Sequence, residues 1–153
     1  MLLEFEDVRI IFTNFSGTET DMNAKGKRNF CIVLDNKEDA DELARDGWNV
    51  KVLPPREDGD EPTFFIKINV NYDSRRPPRI KYRNSRGMNK PLSEETVGML
   101  DSMSIVSADV VVNPYEYNPG HLSGYVQSMR VIVKESRLEA KWDDEDDSAT
   151  VSD

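Results

Sequence analysis

One cysteine, Cys31, and one histidine, His121, are all that this chain of 153 residues holds of the two side chains most used for metals and nucleophiles. A single thiol excludes an intramolecular disulfide and points to a reducing compartment. One of each makes a zinc site, a Cys–His pair or a Ser–His–Asp triad a poor fit. No apolar run approaches the about 18 residues of a membrane helix. The opening Met1-Leu2-Leu3-Glu4 lacks the basic and apolar regions of a signal peptide. Walker-type G-x-x-x-x-G-K-[ST], G-x-G-x-x-G and H-E-x-x-H motifs are missing, and so is any internal repeat. Hydrophobic residues make up only 37%, enough for one modest core in one domain. The expectation is a soluble cytoplasmic protein, not an enzyme, with no cofactor, no metal and no membrane contact.

Positive charge is also scarce on average but not locally. The net charge is −9, from 20 basic and 29 acidic residues. Six of those acids and none of the bases lie in residues 143–153, so the rest of the chain stands at −3. Between Ser74 and Ser93, Arg75, Arg76, Arg79, Lys81, Arg83, Arg86 and Lys90 occur without one acid. Lys25, Lys27 and Arg28 form a second acid-free cluster. A surface built for solubility alone would mix its signs, and the local field decides what such a surface binds.

Apolar alternation predicts strands at 4–13, 28–34, 50–53, 63–72, 79–83, 105–112 and 124–134. In the first, Val8, Ile10 and Phe12 share a face. In the fourth, Phe64, Ile66, Ile68 and Val70 point one way, and Phe65, Lys67, Asn69 and Asn71 the other. Asp35 and Glu38 make a capping-box-like start for a short helix that Gly47 can close. A second helix starts at Ser93, with Glu94 and Glu95 at its positive end. Residues 113–123 read as a hairpin loop. The strands do not alternate with long helices, which excludes a parallel α/β sheet. The fold class expected is mainly β: a small OB-like antiparallel barrel over residues 1–142, with two short helices, followed by a disordered acidic tail at 143–153.

The acid-free strands suit a phosphate backbone: Lys67, Arg79, Lys81 and Arg83 on non-core faces, Arg75, Arg76, Arg86 and Lys90 in flanking loops. The bland alternative is a solvated β-face. Selecting single strands needs aromatic platforms. The candidates are Phe15, Trp48, Phe65, Tyr115 and Tyr117, with His121 beside them. Each has core packing as its alternative, and Phe65 stands out because Phe64 and Ile66 already claim the core side. Asp143, Asp144, Glu145, Asp146 and Asp147 form a tethered polyanion that can compete for the basic groove or recruit basic partners. Two other classes stay open. An acidic DNA mimic or inhibitor fits the net charge but not the basic window. A metal nuclease would need Asp58, Asp60 and Glu61, whose loop reads as solvated.

The order of Asn14-Phe15-Ser16-Gly17, Lys25-Gly26-Lys27-Arg28-Asn29-Phe30, a strand, a short helix, Gly47-Trp48-Asn49-Val50, basic strands, Gly124-Tyr125-Val126 and an acidic tail resembles the OB-fold single-stranded-DNA-binding proteins of bacteriophages. The resemblance spans most of residues 4–147. It implies a non-catalytic replication or recombination accessory protein in the bacterial host, often dimeric, with single-stranded DNA as its partner. Many of that group end the acidic tail in an aromatic or apolar residue, whereas this one ends Thr150-Val151-Ser152-Asp153.

Overall fold

The computed structural model describes residues 2–134, so the acidic residues Asp143 to Asp147 and the expected boundary at 142 lie outside the described residues. In chain order the elements are β1 (Leu3–Val8), β2 (Ile10–Asn14), β3 (Arg28–Leu34), α1 (Lys37–Asp46), β4 (Lys51–Leu53), β5 (Thr63–Val70), β6 (Arg79–Arg83), β7 (Asn89–Leu92), a 3-10 helix (Val97–Ser102), β8 (Ser104–Asn118) and β9 (His121–Lys134).

Alternation along the strands puts one set of side chains on a common inner side. Phe30 and Ile32 of β3, Ile66 and Ile68 of β5, Val110 and Val112 of β8, and Val126, Met129 and Val131 of β9 are all buried there. The sheet runs β1-β8-β9-β5-β3-β2, with β4 added to β5 and the β6–β7 pair added to β9. Its two ends, β1 and β2, are separated in the chain only by Arg9, whose carbonyl accepts the N–H of Val33 at 2.9 Å. The result is a curled half-barrel around one core. Ala40 of α1 and Val97 and Leu100 of the 3-10 helix are buried against that core.

The mainly β class, the curled sheet and the two short helices match the expectation. Six details differ. Residues 89–92, expected as a loop around Lys90, form β7 against β6. The strand expected at 4–13 is two strands that part at Arg9, and Asp7 (φ 50°) within β1 and Phe12 (φ 51°) within β2 leave the extended region. β1 then pairs with β8 and β2 with β3. The sheet is mixed: β5 and β6 both run parallel to β9. The cap of α1 is Asn36, whose Oδ1 accepts from the N–H of Asp39 at 2.8 Å, not Asp35 one residue earlier; Gly47 closes the helix at φ 111° as expected. Ser93 opens a turn, and the second helix begins at Val97. Residues 113–123 are not a loop. The ladder of β8 and β9 continues to Asn118 and His121, leaving only Pro119 and Gly120 as the turn.

Candidate nucleic-acid interface

Residues paired across a ladder share a face, so register locates the charges. Asn69 of β5 stands opposite Tyr125 of β9. Arg79, Lys81 and Arg83 of β6 stand opposite Ser128, Arg130 and Ile132. β5 and β6 therefore follow one another alongside the same strand, in the same direction. A bulge at Gln127, between the pairs Val112–Val126 and Val111–Ser128, keeps Ser128 and Arg130 on the outer side while Met129 and Val131 fill the core. Lys67, Arg79, Lys81 and Arg83 thus form one exposed row on the outer face. At about 3.3 Å per residue along β9 the row is roughly 25–30 Å long.

The row is bordered by acids. A groove of about 1090 Å³ has Arg79 and Lys81 on one wall and Glu4, Glu6 and Asp7 of β1 on the other. In its floor Arg130 Nη2 lies 2.7 Å from Asp109 Oδ2, and Asp109 Oδ1 accepts the N–H of Asp7 at 2.8 Å. The Asp7 N–H first, and the Arg130 guanidinium beside it, hold the Asp109 carboxyl below its ordinary value.

Aromatic rings gather at the other end of the same face. Tyr115 stacks on Tyr125 with ring centres 4.6 Å apart. Tyr117, 50% exposed, meets Tyr115 edge-on at 6.5 Å, and His121 lies 5.9 Å from Tyr117. A hydrogen bond to Tyr115 and partial burial push the Tyr125 hydroxyl up from its ordinary value. A cleft of about 280 Å³ runs between this ribbon and the sheet, lined by Tyr115, Tyr117, Lys51, Lys67, Asn69 and Ser123, with Trp48 at its base. Asn69 Nδ2 donates to Ser123 Oγ at 3.3 Å, tying β5 to the ribbon.

Three expected platforms are corrected. Phe15 is fully buried and stacks on Phe30 at 5.3 Å, because Asp101 accepts the N–H groups of Phe15 and Ser16, both at 2.9 Å, and draws the chain inward. Trp48, 6% exposed, is wedged between the end of α1 and the ribbon, against Gly124 and opposite Leu122. Phe65 does lie on the Lys67 side of β5, but it is 7% exposed because Phe12 covers it edge-on at 5.4 Å. Arg28 is half-buried: Nη1 donates to the Phe15 carbonyl at 2.8 Å, and its guanidinium sits 5.6 Å over the Tyr72 ring. It braces the loop and does not reach the outer row.

The remaining candidates are exposed but dispersed. Lys25 and Lys27 ride the loop before β3, which Asn23 organises by donating to the carbonyls of Thr18, Ala24 and Lys27. Arg75 and Arg76 lie between β5 and β6, and Arg86 lies in the β6–β7 turn. Lys90 pairs with Tyr82, so it leaves the face that carries Lys81 and Arg83. Tyr125, Lys51, Asn69 and Phe12 were not among the candidates. Tyr125 could have been found, since Val126 beside it is an inward position. Phe12 could not, because its outward turn depends on a left-handed backbone that no local residue announces.

Among the described residues no group of three or more His, Cys, Asp or Glu is placed to hold a metal ion, and no helix is long and apolar enough to cross a membrane. The model of one protein family, described as "Putative phage ssDNA-binding domain", matches residues 1–150. No curated protein and no solved structure matches the chain.

Proposed function

The chain belongs to this family of phage ssDNA-binding domains, and from that premise we propose that it binds single-stranded DNA along the outer face of its sheet, without catalysis. The role is that of a replication or recombination accessory protein in the cytoplasm of the infected bacterium. One observation carries the reading: the row Lys67, Arg79, Lys81, Arg83 and the rings of Tyr115, Tyr117 and Tyr125 belong to the same face, joined at the Asn69–Tyr125 pair. Phosphate attraction alone does not distinguish single from double strands, whereas an open ring beside a lysine accepts an unpaired base.

The strand path supports the OB-like part of the reading. The segment Leu3–Asn14 touches both β8 and β3, and β5 lies parallel to β9 between antiparallel neighbours. In such barrels oligonucleotides lie on the middle strands between two flanking loops, here β3 and β5 between the Lys25–Lys27 loop and the tyrosine ribbon. The acidic segment 143–153 acts as a tethered competitor for the basic row and as a handle for replication or recombination proteins. A homodimer is part of the same proposal.

Fluorescence anisotropy with labelled single- and double-stranded oligonucleotides at two salt concentrations tests the reading. Salt-dependent affinity that favours the single strand supports it. Binding of neither form overturns it in favour of a DNA mimic, and metal-dependent loss of the probe overturns it in favour of a nuclease.

A further inference from the structure

Alternation along β2 assigns Phe12 to the core with Ile10, yet Phe12 is 58% exposed while Ile10 is buried. The cause is its backbone, at φ 51°, together with a break in the β2–β3 register between Ile11 and Asn14. A bulky L-residue in the left-handed region is disfavoured by its own Cβ. Such conformations persist only where their surroundings over-determine them, and they cluster at ligand sites. The surroundings do so here: three residues on, Phe15 is fixed by Asp101, by Arg28 and by stacking on Phe30. The strain holds a large apolar ring in water, on top of Phe65.

The neighbourhood suits a nucleotide. Lys51 stands opposite Phe65 in one ladder, and Lys67 stands opposite Cys31, which in turn pairs with Ile11 next to Phe12. Phe65 is four residues from Asn69 on β5, and Asn69 faces Tyr125. The two aromatic sites are therefore roughly 13 Å apart along β5, with Lys67 between them. Neither is continuous with the other, so one base cannot occupy both.

We infer that Phe12, seated on Phe65, is a second base-stacking subsite, and that single-stranded DNA passes from the tyrosine cleft over Lys67 to reach it. The inference rests on the single-stranded-DNA reading and adds to it a direction across the strands and a second unpaired nucleobase. The backbone strain is retained for this contact.

Oligothymidylates of increasing length, titrated against the full chain and its variants with melting followed in parallel, test it. Glycine accepts a left-handed φ, so Phe12→Gly removes the ring and the strain together. Its melting temperature should stay close to wild type, the relief of strain offsetting the uncovered Phe65, while affinity for long oligonucleotides falls by about 5- to 160-fold, the range for losing one stacked base. Oligonucleotides too short to span both sites should bind the variant and the wild type alike, and Phe12→Trp should bind long oligonucleotides as tightly as wild type. A photoreactive 5-iodouracil placed along a long oligonucleotide should crosslink to the peptide carrying Phe12. Unchanged long-oligonucleotide affinity in Phe12→Gly would overturn the subsite. So would affinity lost only in step with melting temperature, since the ring would then be structural. Should the wild type bind no single strand of any length, the parent reading itself fails, a result distinct from either.

Discussion

A Cβ added to Gly47 would overlap the carbonyl oxygen of Gly120. The left-handed end of α1 and the tip of the β8–β9 ribbon thus meet backbone to backbone. Leu122 seals the contact by donating its N–H to the Gly47 carbonyl at 2.9 Å. Gly47→Ala must bear both a left-handed alanine and this overlap. It should lower stability by about 2 kcal/mol or more and displace the ribbon, so single-strand affinity should fall with it. Thermal melting and anisotropy check this; an alanine variant that melts and binds like wild type would show that the ribbon is not held here.

The basic row should set the salt dependence. Replacing Arg79, Lys81 and Arg83 together by Ala removes three cations from one exposed line. At about 0.7 per neutralised phosphate, the slope of log affinity against log salt should shrink by about two units. The same slope in a folded triple variant would move the phosphate path elsewhere.

Phe15 and Phe65 should act as core residues. Phe15 is wholly enclosed and Phe65 nearly so. Phe15→Ala should cost about 3–5 kcal/mol, and Phe65→Ala about 3 kcal/mol since it opens under Phe12 and not within the barrel. Urea unfolding measures both. A stable Phe65→Ala with weakened DNA binding would return Phe65 to the role of stacking platform.

Asp109 should lend the fold a small acid sensitivity. Its carboxyl is held below the ordinary value by the Asp7 N–H and then by Arg130. A depressed carboxylate stabilises the folded state above the about 3.9 of an unfolded aspartate, and that contribution is lost as pH falls through the folded value. The pair is more than a third exposed, at 39% and 35% of the side chains, so the gain is at most about 1 kcal/mol. Asp109→Asn should therefore be slightly less stable than wild type at pH 7 and equal to it well below pH 4. A stability gap that persists in acid would point to packing instead.

The acidic segment should compete with DNA. Residues 143–153 carry six negative charges, and covalent attachment to the same chain gives them a local concentration on the order of millimolar. Screening over about 8 Å at physiological salt keeps each contact weak. Truncation after Trp142 should tighten single-strand binding several-fold at low salt, with the difference closing as salt rises. Equal affinities at low salt would leave the segment as a solubility or partner element.

Much of this molecule follows from local chemistry that a sequence displays. Period-two alternation marked β3, β5 and β6 and the inner parts of β8 and β9, because each strand buries one side. Gly47 ended α1 because it tolerates a left-handed residue. The acid-free composition of 74–93 identified β6 as basic before its neighbours were known. What tertiary structure alone decided is which outward residues share a surface. β5 and β6 are separated by eight residues in the chain, yet both lie against β9, and only that parallel pairing lines up Lys67 with Arg79. Likewise, outward on a strand is not the same as exposed: Phe65 faces out and is covered by Phe12. Phe12 itself faces out because long-range anchors at Phe15 twist its backbone against the alternation it was drawn from. Side-chain period is a property of a few consecutive residues, whereas register, parallel pairing and backbone strain are imposed by partners tens of residues away.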